Sequence, residues 1–213
     1  ISDLIISEVE AFGSNYIQIE VKTPGRSQVS TENVFSMAGG SAITTLKERD
    51  AESIGEHPNI SNYYSAVLGQ DIVNYRNEIT KTFLWGVDSA YIDIDSGEVA
   101  EGRFFTPDEN DSLAQVAVIG SQIQDELFGQ TDPIGQSVRI GKERFRVVGI
   151  MEERGATFGL DMDDLVFIPI KTLQKKLLGI DYVSYIVAEM VDPDFSAQTA
   201  DDVTLTLRDN HNI

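Results

Sequence analysis

Apolar positions at the start of the chain recur as Ile1, Ile5, Val9 and Phe12, with polar residues between them, so one apolar stripe predicts a helix that stops at Gly13. From Tyr16 to Lys22 the period becomes two: Ile17, Ile19 and Val21 alternate with Gln18, Glu20 and Lys22, which predicts a half-buried strand. Thr23 to Ser41 holds Pro24, Gly25, Gly39 and Gly40 with little periodicity and reads as a long loop. Thr45 and Glu48 have capping-box spacing, and the helix they would open ends near Ile54, before Gly55 and Pro58.

Strand-like patterns cover Tyr63 to Leu68, Ile72 to Tyr75 and Ile79 to Val87. Thr106, Pro107 and Glu109 make a second capping box over a short helix, with proline at the first helical position, where no N–H partner is lost. Gln115 to Ile119 is an apolar strand, and Ser121 with Gln124 is expected to cap the helix that carries Ile123 and Leu127 and stops at Gly129. Val138 to Ile140 and Phe145 to Ile150 flank Gly141-Lys142, a tight hairpin turn. Leu165 to Ile168 is another buried strand; Ile170, Leu173 and Leu177 give a helical stripe ending at Gly179. A strand over Tyr182 to Ala188 and a last helix with Ala200, Val203 and Leu207, after Asp192-Pro193, complete the chain. Strands and helices interleave without a strict βα repeat, so the predicted class is α+β.

Composition narrows the function more than the fold. The 213 residues are 41% hydrophobic and 24% charged, as in a folded globular chain. A net charge of -19 and a pI near 4.3 argue against nucleic acid and anionic lipid surfaces as partners, because both repel such a surface. The absence of cysteine excludes disulfides, thiolate zinc sites, iron–sulfur clusters and a cysteine nucleophile. Runs of strictly apolar residues stop at four, as in Val116 to Ile119, whereas a membrane span needs about twenty. The chain starts at Ile1 with no basic stretch and apolar core after it, and is expected to be a fragment of a longer protein.

Candidate chemistry is sparse. Gly135 and Gly141 with Lys142 and Glu143 miss the phosphate-loop pattern twice and read as a hairpin between strands. Asp93, Asp95, Gly97 and Glu98, and separately Asp161, Asp163 and Asp164, are oxygen-rich but short of a calcium loop's ligand set, so solvated acidic turns are expected. His57 and His211 are the available imidazoles and are expected at the surface; there is no G-x-S-x-G elbow and no H-E-x-x-H pair. Carboxylate pairs for hydrolysis are too common in so acidic a chain to be specific. Of Phe83 and Trp85, one is expected in the core and the other against a neighbouring loop or subdomain. Asn59-Ile60-Ser61 and Asn110-Asp111-Ser112 fit the glycosylation pattern. On this reading no residue is assigned as catalytic, cofactor-binding or metal-ligating, and no cofactor is expected.

A series of short motifs carries more. Glu101-Gly102-Arg103-Phe104-Phe105-Thr106-Pro107-Asp108-Glu109, Val116-Ala117-Val118-Ile119-Gly120, Leu127-Phe128-Gly129 and Asp132-Pro133-Ile134-Gly135-Gln136 come in that order. Val138-Arg139-Ile140-Gly141, Phe145-Arg146-Val147-Val148-Gly149-Ile150 and Phe167-Ile168-Pro169-Ile170 continue it, with Gly13-Ser14-Asn15-Tyr16-Ile17 and Leu207-Arg208-Asp209-Asn210-His211 near the ends. The series resembles the extracytoplasmic core domain of MacB-type, FtsX-like ABC transporter permeases. Thr23 to Ser41 and Arg154 to Asp164 match it poorly.

The resemblance implies a soluble, non-catalytic domain outside the cell membrane, periplasmic or extracellular, between two membrane helices that the sequence does not contain. It implies a discontinuous porter-like subdomain from residues 1–87 and 165–213, with a smaller sabre-like subdomain, 88–164, inserted into it. The chain ends are then expected on one side of the fold. The implied partners are a second copy of the permease, a cytoplasmic ABC ATPase and, in some members, a periplasmic adaptor with an outer-membrane channel. The implied role is to turn ATP-driven movement of membrane helices into export or extraction of substrate. The alternative is an extracytoplasmic ligand-binding or sensing module, and a third reading is an acidic-residue hydrolase.

Overall fold

One long strand organises the molecule. In the structure, a computed structural model that describes residues 15–20, 44–95, 97–157 and 160–212, β2 runs unbroken from Ile60 to Tyr75. The hydrophobic pattern predicts two strands here because Gly69, Gln70 and Asp71 interrupt it. The ladder continues through them: Gly69 leaves room for Leu178, whose Cδ2 would lie 3.1 Å from a Cβ at that position, and Gln70 faces solvent. Around β2 the other strands are β1 (Tyr16–Glu20), β3 (Glu78–Val87), β4 (Val99–Gly102), β5 (Val116–Ile119), β6 (Ser137–Ile140), β7 (Glu143–Met151), β10 (Leu165–Pro169) and β11 (Tyr185–Met190). They form one nine-stranded sheet in the order β1-β11-β2-β3-β10-β5-β7-β4, with β6 pairing both β2 and β7. β3 with β10 and β5 with β7 are parallel, and the other pairs antiparallel. A separate pair, β8 (Ala156–Thr157) and β9 (Leu160–Asp161), precedes β10.

Because β6 bridges β7 and β2, the six strands β2, β3, β10, β5, β7 and β6 close a circuit of hydrogen-bonded neighbours. Side chains on a strand alternate between faces, and the buried residues divide accordingly. One face carries Val67, Leu84, Val166, Ile168, Ile119 and Phe145, and is covered by α1 (Glu48–Gly55), α4 (Ser121–Phe128) and α6 (Ser196–His211) through Ile54, Leu127 and Leu207. The other carries Ala66, Val87, Val118 and Phe167, under Tyr91 and Ile94 of α2 (Tyr91–Ile94) and under Phe104 and Phe105. The sheet is therefore the middle layer of an α+β domain, the class the pattern predicts.

Several local expectations change. The opening helix, its distance from the final helix, and the 23–41 loop lie outside the described residues. Helix α1 is capped not by Thr45 and Glu48 but at Lys47, whose N–H donates to Asp50 Oδ2 at 2.8 Å; the Thr45 hydroxyl is buried with no hydrogen-bond partner among the described residues. Helix α4 starts from Gly120 rather than from a Ser121 cap, and glycine is required there because a Cβ would lie 2.2 Å from the Asp163 carbonyl oxygen. The stripe through Ile170, Leu173 and Leu177 is α5 (Ile170–Thr172) running into a π-helical stretch, Leu173–Leu178. β11 begins three residues later than expected, since Val183 turns its N–H to the Leu46 carbonyl at 3.0 Å. The Gly141-Lys142 hairpin is as predicted, with Gly141 at φ 57°.

The second capping box is also present. In α3 (Pro107–Asp111), Glu109 N–H donates to Thr106 Oγ1 at 3.3 Å and Thr106 N–H donates back to Glu109 Oε2 at 3.0 Å. Arg103 adds two bonds to the same carboxylate, at 2.7 and 2.8 Å, and these guanidinium bonds are the main reason that the Glu109 carboxyl falls to about 2. A depressed carboxyl stabilises the fold above its unfolded value and loses that stabilisation as pH falls towards its folded value. Part of the native chain's loss of stability between about pH 4.5 and pH 2 should therefore vanish in Glu109→Gln; thermal melts across that range that are parallel for the two proteins would refute the assignment.

Candidate functional site

The chain leaves β3 at Val87 and returns at Leu165, so segment 88–164 begins and ends at strand ends. Beside the outgoing crossing lies a cleft of about 340 Å³ between α1, β2, the turn 88–90, α3 and the start of α5. Asp88 is its central polar group. Its carboxylate accepts from Ser65 N–H on β2 at 2.8 Å and from Asn110 Nδ2 on α3 at 3.1 Å, while Asn110 Oδ1 accepts from Lys171 N–H at 3.2 Å. Lys171 Nζ reaches Asp111 at 2.7 Å. Four elements thus meet through one carboxylate and one amide.

The electrostatics are uneven. Burial pushes the Asp88 carboxyl up, and the Ser65 N–H bond partly restrains the rise. Glu48 is pushed up by burial and then by the Asp88 charge, and its Oε1 is buried with no hydrogen-bond partner among the described residues. The Asp111 bond holds the Lys171 ammonium above its usual range. Two crowded carboxyls and one lysine make a polar joint, lined also by Ser89 and by Ser65, whose side chain as well as its N–H bonds to Asp88.

The sequence-level candidates are used elsewhere. Both acidic groups converge on Arg154: its guanidinium is bonded to Asp95, and its N–H donates to Asp163 Oδ1 at 2.9 Å. Asp95 also accepts from Gly97 N–H at 2.8 Å, and Asp163 from Gly155 N–H at 2.8 Å. Asp95 and Asp163 are thus bound into the structure, whereas Asp93, Glu98 and Asp161 stay exposed as expected, and no group of three or more potential metal ligands is assembled among the described residues. The histidines are not surface residues either. His211 Nε2 lies 3.0 Å from the fully buried Asp50, and His57 Nε2 lies 3.4 Å from Asp202, so each joins α1 or the turn after it to α6. His57 Nδ1 accepts from Asn59 N–H at 3.1 Å.

Phe83 and Trp85 are two apart and so share a face, both half-buried, with Leu84 between them in the opposite core; Trp85 stacks on Phe167 with centroids 5.7 Å apart. The two glycosylation patterns have no free amide. Asn59 Nδ2 donates to Asp192 O at 2.9 Å and Thr199 Oγ1 at 2.8 Å, and Asn110 is buried against Asp88. The sequence reading did not bring Glu48, Asp88 and Lys171 together, because they are far apart in the chain: Glu48 reads locally as part of a capping box, and Asp88 and Lys171 belong to no motif.

This fold, a mixed sheet closed through β6, is similar to that of two solved structures. The periplasmic region of MacB from Actinobacillus actinomycetemcomitans aligns with a TM-score of 0.73 at 23% identity, over 84% of this chain and 80% of that one. The extracellular domain of the noncanonic ABC-type transporter YknZ from Gram-positive bacteria aligns with a TM-score of 0.71 at 23% identity, over 83% and 88%. The chain belongs to the MacB-like periplasmic core domain family, whose profile matches residues 4–205. Among curated relatives, a macrolide export ATP-binding/permease protein MacB of Chlorobaculum tepidum is 30% identical over 193 residues, 85% of this chain and 30% of that protein. A pyoverdine export ATP-binding/permease protein PvdT of Pseudomonas savastanoi pv. phaseolicola is 32% identical over 210 residues, 98% of this chain and again 30% of that protein. The chain thus spans about 30% of the length of these relatives. Among the described residues, no helix is long and apolar enough to cross a membrane.

Proposed function

We propose that this chain is the extracytoplasmic domain of a dimeric ABC exporter permease, and that it transmits the movement of membrane helices driven by a cytoplasmic ATPase to substrate outside the membrane. The observation that carries the reading is the family match over residues 4–205, joined to a sheet that is continuous from one end of the described chain to the other. A displacement is passed on by stiff, contiguous elements, and here hydrogen-bonded strands link β1, close to the N-terminal side of the chain, with β4 at the opposite edge. The relatives named for macrolide and pyoverdine export support small secreted compounds as the substrate class. An adaptor and an outer-membrane channel fit the same reading as further partners.

In this role 88–164 is a sabre-like insert and the rest a porter-like body, joined at the Asp88 cleft and by the β5–β10 and β6–β2 strand pairs. The test is a full-length permease with its ATPase in sealed vesicles. Replacing residues 44–212 by a short Gly-Ser linker should leave ATP hydrolysis within about twofold and abolish ATP-dependent accumulation of a macrolide and of a siderophore; unchanged transport would sink the proposal.

A further inference from the structure

The two hairpin ends of the sheet differ in charge from the rest of the molecule. Residues 70–81 and 137–146 hold six basic side chains, Arg76, Lys81, Arg139, Lys142, Arg144 and Arg146, against three acidic ones, Asp71, Glu78 and Glu143, in a chain of net charge -19. Register decides where they point, because residues directly opposite on paired strands share a face. Ile79 of β3 lies opposite Asn74 of β2, Asn74 opposite Arg139 of β6, and Arg139 opposite Arg144 of β7. Lys81 lies opposite Ile72 in the adjoining row, and Arg146 opposite Ser137. One pleated face across four strands therefore presents Lys81, Arg139, Arg144 and Arg146 around Ile72 and Ile79.

The three acids lie off this face: Glu78 opposite Tyr75, Asp71 on the same side of β2 as Val73, and Glu143 opposite Ile140, all on the other side of the strands. All six residues of the face are exposed, with Ile72 at 51% and Ile79 at 65%. None of the four cations is in an ion pair among the described residues. The acid that acts on Arg146 from outside the strands, Glu109, is already held by two nitrogens of Arg103.

Folding alone does not account for this face. Like charges directly opposite on neighbouring strands destabilise a sheet, and Arg139 faces Arg144. Arginine and bulky apolar groups side by side, without carboxylates, are what a partner surface supplies with its own.

We propose that the outer face of the β3-β2-β6-β7 strands docks a protein whose contacting segment is acidic, with apolar side chains set between its carboxylates to meet Ile72 and Ile79. At the centre of the face β6 is already paired on both sides, so recognition there runs through side chains rather than strand addition, although among the described residues the 78–82 end of β3 pairs only β2 and leaves an edge beside Ile79. A polyanion or a lipid surface is disfavoured because the remaining surface is acidic and an extended anionic surface would meet it. The footprint of a protein can be confined to the patch, beyond which charge is screened within about 8 Å. Four strands spaced about 4.8 Å apart give a face smaller than a standard interface, which suits a transient contact.

The test uses the full-length protein in its own membrane, with the photoreactive amino acid p-benzoylphenylalanine in place of Ile79, and reads crosslinking rather than transport, so it stands apart from the exporter reading. Irradiation should give a protein adduct whose crosslinked segment, mapped by mass spectrometry, is rich in Asp and Glu. The adduct should fall about tenfold, equivalent to about 1.4 kcal/mol, in Arg139→Glu with Arg144→Glu, and return when acids of the mapped segment are changed to lysine. Arg139→Gln with Arg144→Gln, which removes the repulsion without adding charge, provides a folded control and should also lose the adduct. An adduct to a second copy of this chain, to lipid, or to a non-acidic segment would overturn the proposal, as would no adduct, one indifferent to the arginines, or one that the lysine exchange does not restore.

Discussion

Arg154→Met should lower the stability of the domain by about 3 kcal/mol, the scale seen when one partner of a buried pair is removed. For a chain of this size that is roughly 6–12 °C in Tm. Arg154 and Asp95 are mostly buried, with side chains 18% and 22% exposed, so the stranded Asp95 carboxylate would have little water to replace the guanidinium. It would also sit close to Tyr64 and Tyr91, whose phenols are already held above their usual range by burial and by the Asp95 charge. Arg154→Met combined with Asp95→Asn removes the stranded charge and should recover at least half of the loss, because the penalty belongs to the unpaired ion rather than to the missing contact. Urea titrations of the three proteins at pH 7 decide it. A single variant within about 0.5 kcal/mol of the parent, the range of an ordinary surface change, would show that the pair is only a surface ornament.

That ion pair also marks where reading the sequence succeeds and fails. Local rules hold where the cause is local: the Gly141-Lys142 turn, the Thr106–Glu109 cap and the apolar strand Val116–Ile119 each occur as their spacing predicts. They fail where two local solutions compete. Thr45 and Glu48 have the spacing of a cap, yet Asp50, three residues after Lys47, satisfies the same need and leaves the Thr45 hydroxyl buried with no bond among the described residues. Nothing local announces the long-range contacts. Asp50 and His211 are 161 positions apart, and their meeting turns an expected surface histidine into part of the α1–α6 interface. Asp95 and Asp163 look like two solvated turns until Arg154, between them in the chain, is seen to bind both. Asp88 is invisible for the same reason: its partners Ser65 and Asn110 belong to other elements and no motif links them. What identified the family was the order of many short motifs, which records the whole arrangement where no single one does.

Flexible Gly-Ser insertions after Val87 and before Leu165, made together in the full-length permease, should cut transport about tenfold or more while ATP hydrolysis stays within about twofold. Coupling free energies of a few kcal/mol correspond to changes of that size. On the proposed role, motion reaches 88–164 through these two crossings and the contacts around them. β3 and β10 run parallel as neighbours, with Val87 opposite Pro169 and Leu165 opposite Phe83, so slack at both places loosens the segment's entry and exit from adjacent strands. The ladder offers a second route: β5 pairs β10 at Val166–Ile119, and β6 pairs β2 at Val73–Ile140. Each of these two ladders is only two residue pairs long. Asp88→Ala separates the routes: it removes the acceptor shared by Ser65 and Asn110 at the outgoing crossing and leaves every strand pair in place. If the crossings carry the motion, Asp88→Ala should reproduce part of the insertion phenotype. With dimerisation and expression equal to the parent's, undiminished transport in the double insertion would place the coupling path in the ladder or outside 88–164 altogether.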